Sequence, residues 1–380
     1  MQSPDLPFKT TLLAGRIDVG VLGIRTVGLA WLAMAMVLLT VAAGITLRWR
    51  WAEAAAPVAV GFSLVLCVLE LPHARLGLVV NLVALLWLAV DPQVGIGVRR
   101  WDRMSAIERG RLTMAQATPV GQFSSLPSTV PDVVRRYFER TTGSAASVTA
   151  VEVTQTGQFQ MGTTDASWKP FTATQQVTLS QPGFIWDARI AMAPGVFTLV
   201  RDSYIDGEGA MRAEVQGLLR VADLRGGDAL ARGALQRWLA EAVWFPVALQ
   251  PSERLTWEAI DDHRARVSLV DRGHQVSLEF TFTADGDVVR IFSPDRMREV
   301  KGQFIPTPWE VICADYGLYL GMRVPTRCEV AWLLPEGRFP FWRGHVTAIN
   351  PPAHQPSRLS ACPTVAACFR FGLLILTRPT

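Results

Sequence analysis

The stretch DALARGALQRWLAEAVWFP, Asp228 to Pro246, decides the fold, because it is the one convincing amphipathic helix inside a long region of β pattern. Leu230, Ala234, Leu235, Trp238, Leu239 and Ala242 recur at spacings of three and four and make one apolar stripe, with Arg232, Gln236, Arg237 and Glu241 opposite. Asp228 is placed to cap the start, and Pro246 to end the helix. A single helix with two tryptophans, Trp238 and Trp244, toward its end needs a large apolar surface to lie against. The strands on either side supply it. The expected arrangement is a helix packed into a curved sheet, where it shapes an apolar cavity.

Outward from this helix the period is two. Val151, Val153, Phe159 and Met161 alternate with Glu152, Thr154, Thr156 and Gln158; Phe171, Ala173, Val177 and Leu179 alternate with threonines and glutamines; Phe184, Trp186, Ala188, Ile190 and Met192 follow the same rule. Such alternation marks antiparallel strands with one wet and one buried face. Pro-Gly pairs at 182–183 and 194–195 and the AspGlyGluGly run at 206–209 supply turns. The pattern continues over 196–204 and 211–221, and beyond the central helix over 255–260, 264–270, 275–283, 288–292, 324–334 and 341–349. A short helix is expected after Pro131, with Val133, Val134, Tyr137 and Phe138 on its apolar side. The fold class is therefore an α-helical membrane segment followed by a mainly antiparallel β domain, a half-open curved sheet or barrel of about eleven strands with helices on its inner face.

The membrane segment comes from composition. Nearly half of the residues, 49%, are apolar, and the excess is concentrated before residue 92. Residues 27–47 form an uncharged stretch long enough for a hydrocarbon core of about 30 Å, and 54–70 and 76–90 follow as a shorter helical hairpin. The expected order is an N-terminal segment (1–26), a transmembrane region (27–92), a basic juxtamembrane linker (93–121), the β-rich domain (122–350) and a divergent tail (351–380). The chain is thus expected to be an integral protein of a bacterial inner or plasma membrane, and the arginines flanking the spans do not set the side of the β domain. Arg99, Arg100, Arg103, Arg109 and Arg111 of the linker are either ordinary flanking charge or contacts to anionic lipid head groups. A net charge of +4 with no block of like charge gives no nucleic-acid footprint. None of the five cysteines has metal-site or redox spacing; Cys313 and Cys328 are either free thiols or, in an oxidising compartment, a disulfide.

Several motifs, taken together and in order, resemble a family of bacterial β-rich domains of unknown function whose fold is similar to that of the lipoprotein-localisation (LolA-like) proteins. They are LPSTVPDVVRRYF at 126–138, WKPF at 168–171, PGFIWDA at 182–188, DSYIDGEG at 202–209, RWLAEAVWFP at 237–246 and PTRCEVAW at 325–332. The resemblance covers residues 126 to about 349. It implies a half-open barrel closed by helices, with an apolar cavity that accepts acyl chains in the better understood relatives. It carries over no catalytic residue.

The sequence contains no GxSxG, GxxxxGK, GxGxxG after a strand or HExxH, and its five histidines have no ligand spacing. No catalytic residue, metal or cofactor is assigned. Asp261, Asp262 and His263 are read as a solvated hairpin turn. The candidate cavity residues are Trp168, Phe171, Phe184, Trp186, Met192, Tyr204, Trp238 and Trp244, with Arg237, Glu241, Asp202 and Asp206 as polar candidates. The expected function is non-catalytic binding of a lipid or other apolar ligand by a membrane-anchored domain. The alternative is a membrane-tethered enzyme or sensor that uses the acidic and Arg residues at the cavity mouth. Expected partners are membrane lipids and an apolar ligand, with no nucleic acid.

Overall fold

The computed structural model describes residues 10–47, 49, 51–71, 73–90, 95–114, 126–142, 148–161 and 168–352. Most of the expected tail, including Cys362 and Cys368, residues 93–94 and 115–121 of the expected linker and 122–125 of the expected β domain lie outside the described residues. A short hairpin, β1 (Thr11–Leu12) and β2 (Ile17–Asp18), leads into three apolar helices: α1 (Gly20–Thr46), α2 (Ala52–Leu69) and α3 (Arg75–Val90). Val41, Ala56, Ala59, Val60 and Leu88 form their shared core. Asn81 ties α3 to α2, its Nδ2 donating to Ser63 Oγ at 3.0 Å. Many of their other leucines and valines face outward, Leu22 78% and Leu76 83% exposed. Among the described residues α1 is the one helix long and apolar enough to cross a membrane by itself; 55–69 and 75–88 are shorter apolar helical stretches.

The basic linker is a helix, α4 (Ile96–Met114), lying on the outer face of the β domain. Val98 and Trp101 bury against Phe197 and Leu199, and Leu112 against Ile185 and Ile205. Arg100 pairs with Glu214, Arg109 Nη2 with Asp187 Oδ2 at 3.0 Å, and Arg111 stands 3.9 Å from Asp206. Three of the five linker arginines thus meet carboxylates of the domain rather than being left for head groups. Gly97 makes the approach possible: a Cβ there would stand 2.2 Å from the Gln216 carbonyl oxygen.

The domain is one sheet of thirteen antiparallel strands. Its first half is β3 (Ala150–Gln160), β4 (Trp168–Thr178), β5 (Gly183–Ala193), β6 (Val196–Ile205), β7 (Glu208–Val215) and β8 (Leu219–Arg225). The second is β9 (Leu255–Ala259), β10 (Arg264–Asp271), β11 (His274–Phe282), β12 (Val288–Val300), β13 (Gln303–Tyr319), β14 (Met322–Leu334) and β15 (Gly337–Asn350). Each half is a meander of sequential hairpins, and the halves join where β3 pairs with β15, Gly157 opposite Gly344. The order runs from β8 at one edge through β3 and β15 to β9 at the other, so the sheet stays open. Two differences raise the strand count above the expected eleven. The run 211–221 is broken by a turn that separates β7 from β8, and β13 is a strand despite Pro306 and Pro308, because its first residues form an exposed hairpin arm with the end of β12.

Two helices cover the inner face. The first, α5 (Asp132–Thr141), buries Val133, Val134, Tyr137 and Phe138. Its Arg140 meets Asp287, which also takes Arg323 Nη2 at 2.8 Å. The second, α6 (Asp228–Glu241), leaves the β8 edge and crosses the hollow toward the β9 edge, lying on β5 to β7 on one side and β11 and β12 on the other. Leu235 and Leu239 have no exposed surface, and Trp238 donates its indole N–H to the Thr178 carbonyl at 3.1 Å. Two buried 3-10 turns, 242–244 and 246–249, complete the crossing. The side opposite the apolar stripe is wet only at its start, where Asp228 keeps an exposed side chain and Arg232 a partly exposed one; Gln236 is 2% exposed and donates to Ser293 Oγ, because the sheet flanks the helix there on both sides. Nor is Asp228 the cap; Gly227 holds that position, and Asp228 meets His274 Nδ1 at 3.0 Å.

Burial pushes the Asp287 carboxyl up, but the guanidinium groups of Arg323 and Arg140 outweigh it and hold the group below the ordinary carboxylate value. A depressed carboxyl contributes stability above its unfolded pKa and loses it as pH falls through the folded one. Asp287→Ala is therefore expected to cost about 2 kcal/mol at neutral pH, with the gap to wild type closing on acidification below about pH 4. Denaturant unfolding at both pH values checks this; a gap that persists in acid would contradict it. Trp101→Ala is expected to loosen α4, so that trypsin cleaves within 96–114 faster than in wild type while the sheet stays resistant.

Candidate functional site

Between the second half of α6 and the middle of the sheet lies a cavity of about 220 Å³. Its helix side is Arg237, Ala240, Glu241, Val243 and Trp244, and its floor comes from strands of both halves. From the first half come Phe159, Trp186, Val200, Asp202 and Met211; from the second, Arg296, Trp309, Val311, Val330, Phe341 and Trp342. Strand alternation explains most of the set, since every second residue faces the helix; the adjacent pair Phe341 and Trp342 falls where the β14–β15 register shifts. The aromatic rings form two groups along the wall: Phe159 lies 6.0 Å from Phe341, which stacks on Trp332 at 5.6 Å, and Trp342 bridges Phe171 and Trp244 at 5.7 and 6.3 Å.

One ionic cluster interrupts this wall. Arg237 donates from Nη1 to Asp202 Oδ2 at 2.6 Å and from Nε to Glu241 Oε1 at 2.8 Å, and its guanidinium lies over the rings of Trp186 and Phe184 at 4.8 and 5.1 Å. Burial alone would lower the pKa of Arg237, but the two carboxylates outweigh it and raise the value. Behind the cluster a relay of amides satisfies the remaining groups. Gln175 Nε2 donates to Glu241 Oε2 at 2.6 Å, Gln155 Nε2 to Gln175 Oε1 at 3.4 Å, and Trp186 Nε1 to Gln155 Oε1 at 2.8 Å. A buried charge persists only when so surrounded.

Arg296 is different. Its guanidinium lies 4.6 Å over the Trp309 ring, and burial pushes its pKa down to about 10, so it stays a cation at neutral pH. Its Nη1 and the indole N–H groups of Trp244 and Trp309 are buried and have no acceptor among the described residues. A buried donor left without an acceptor costs about 1–3 kcal/mol.

Of the residues singled out from sequence, Trp186, Asp202, Arg237, Glu241 and Trp244 come together on this cavity. Phe171 and Phe184 stand directly behind it, Phe171 at 5.9 Å from Trp186. Trp238 and Tyr204 lie in the surrounding core, Trp238 against Phe245 and Tyr204 with its hydroxyl on Asp271 at 2.8 Å. Trp168 sits under Arg343 at 4.3 Å, and Met192 packs at the margin of the core. Asp206 is not at the cavity mouth: it occupies the β6–β7 turn with φ +55° and pairs with Arg272 at 3.0 Å, because the strand ends before it. Asp261 likewise serves a turn, accepting from the His263 backbone N–H at 3.0 Å. Arg296, Trp309, Phe341 and Trp342 were not anticipated; Phe341 and Trp342 were legible as strand residues, whereas 294–309 gave no clean alternation.

A larger groove of about 570 Å³ opens between α6 and β11, but its walls are ionic, with Arg266 on Glu279 at 2.8 Å and His274 on Asp228. Among the described residues no three or more His, Cys, Asp or Glu side chains gather as a metal site would require. Cys313 and Cys328 face each other across β13 and β14 as buried free thiols, Sγ to Sγ 3.8 Å.

A model of a family of unknown function, DUF6920, matches residues 128–350. Among solved structures, a LolA superfamily protein from Nitrosomonas europaea is similar, with 11% identity and a TM-score of 0.34 over 60% of this chain and 95% of that one. No curated protein matches the chain. The matched span, 128–350, takes in α5, every strand of the sheet and α6, and the chain belongs to the DUF6920 family.

Proposed function

We propose that the chain is a membrane-anchored protein whose β domain binds an apolar molecule in the cavity beneath α6. The observation that carries this reading is the cavity itself: a part-open hollow walled by aromatic and aliphatic side chains, with a few placed polar groups, is the usual form of a small-molecule site. At about 220 Å³ it lies below the common range of about 300–1,000 Å³. It therefore suits a short apolar molecule or one end of a longer chain. Each methylene taken from water contributes about 0.8 kcal/mol, so useful affinity needs few polar contacts.

The anchor reading is supported by α1 to α3. Their outward leucines and valines form an apolar surface much larger than a soluble protein normally shows, and hydrocarbon is the medium that suits it. In this reading α4 rests on the back of the sheet and holds the domain close to the anchor.

The test uses the full chain in nanodiscs of zwitterionic lipid, with empty nanodiscs as the blank, and equilibrium dialysis of radiolabelled octan-1-ol and octanoic acid. The account expects retention above the blank that Val330→Trp or Ala240→Phe abolishes, since either fills the cavity. Overpacking of this kind costs about 1–3 kcal/mol, so two variants guard against misfolding. Retention unchanged in folded variants would place the probe on the helices instead, and no retention of either probe would end the reading.

A further inference from the structure

Every orphaned polar atom on the cavity wall is a donor. Trp244, Trp309 and Arg296 all line the cavity, and the indole N–H groups of the first two, each residue 3% exposed, and Nη1 of the third are buried without an acceptor among the described residues. The cavity's own carboxylates do not serve them. Asp202 and Glu241 are both bonded to Arg237, and Glu241 also to Gln175. Among the described residues no carboxylate lies within ion-pair distance of Arg296, whose charge rests on the Trp309 ring.

We propose that the molecule taken by this cavity is an apolar chain ending in a carboxylate, a short fatty acid being the simplest case, with the carboxylate held by Arg296 and the indole N–H groups of Trp244 and Trp309. The proposal rests on the reading of the cavity as an apolar-ligand site and adds the chemistry of the ligand's end. A carboxylate only accepts, and its two oxygens offer enough lone pairs for all three donors. It also gives the desolvated guanidinium a counter-charge, and such charge-assisted bonds are about twice as strong as neutral ones. The nearby Asp202 and Glu241 favour a single negative charge over a dianionic phosphate. An alcohol of equal length fills the same space without either benefit.

The experiment compares octanoate with octan-1-ol by the same dialysis of the full chain in zwitterionic nanodiscs at neutral pH. Wild type is expected to hold octanoate at least about tenfold tighter than octan-1-ol. In Arg296→Met that preference is expected to vanish, with a melting temperature and tryptophan fluorescence close to wild type reporting a folded domain. Arg296→Lys, which keeps the charge but not the planar fork, is expected to restore part of the preference. Equal binding of the two probes by wild type, or a preference that survives Arg296→Met, would overturn the proposal and leave the apolar site standing. Failure of wild type to hold either probe would remove the site itself, and the proposal with it.

Discussion

The structure depends on one crossing. The two meanders meet in the middle through β3 and β15, which leaves β8 and β9 as opposite edges of an open sheet, and the chain must pass from one to the other. At about 1.5 Å per residue, the 14 residues of α6 span roughly 21 Å, and the two 3-10 turns complete the distance. The route over the inner face is the one that also covers its apolar side chains. Trp238, Leu235 and Leu239 fill the deep part of the hollow, and the chain's departure from α-helix after Glu241 leaves the cavity beside Trp244.

The same crossing explains the buried charge. Asp228 keeps an exposed side chain and Arg232 a partly exposed one, but past Arg232 the helix is covered by sheet on both flanks, so Arg237, Glu241 and Gln236 must find partners inside. They do, through Asp202, Gln175 and Ser293. Breaking such a set by removing one member leaves an uncompensated charge, which is why it persists as a unit. Elsewhere the sheet is bound by arginine and carboxylate pairs of a more ordinary kind. Burial raises Glu310 and Glu329, but Arg338 acts on both, with Arg290 on the first and Arg343 on the second, and holds each below its usual value.

Much of this was legible in the sequence. The alternation of β3 to β5 is legible residue by residue, and the inner stripe of α6, with Ala234, Leu235, Trp238 and Leu239, is as its spacing requires. Five of the twelve candidate residues reach the cavity because strand alternation and helix spacing both point inward there. The burial of Gln236 is not legible from the sequence, because amphipathic spacing carries no information on a second flank and only tertiary structure shows it. The half of the site on β12 and β13 was hidden because Pro306, Pro308 and a run of charges mask the strand period over 294–309. The docking of α4 was equally hidden: its partners Asp187 and Glu214 stand far away in the chain, and a basic run after an apolar helix looks the same whether it meets head groups or a protein face.

A crystal of the protein under xenon pressure tests the central claim most directly, since apolar cavities bind xenon and filled or polar ones do not. The account predicts a xenon peak bounded by Ala240, Trp244, Trp309, Val330 and Phe341. Continuous side-chain density through that space, with no xenon, would contradict it.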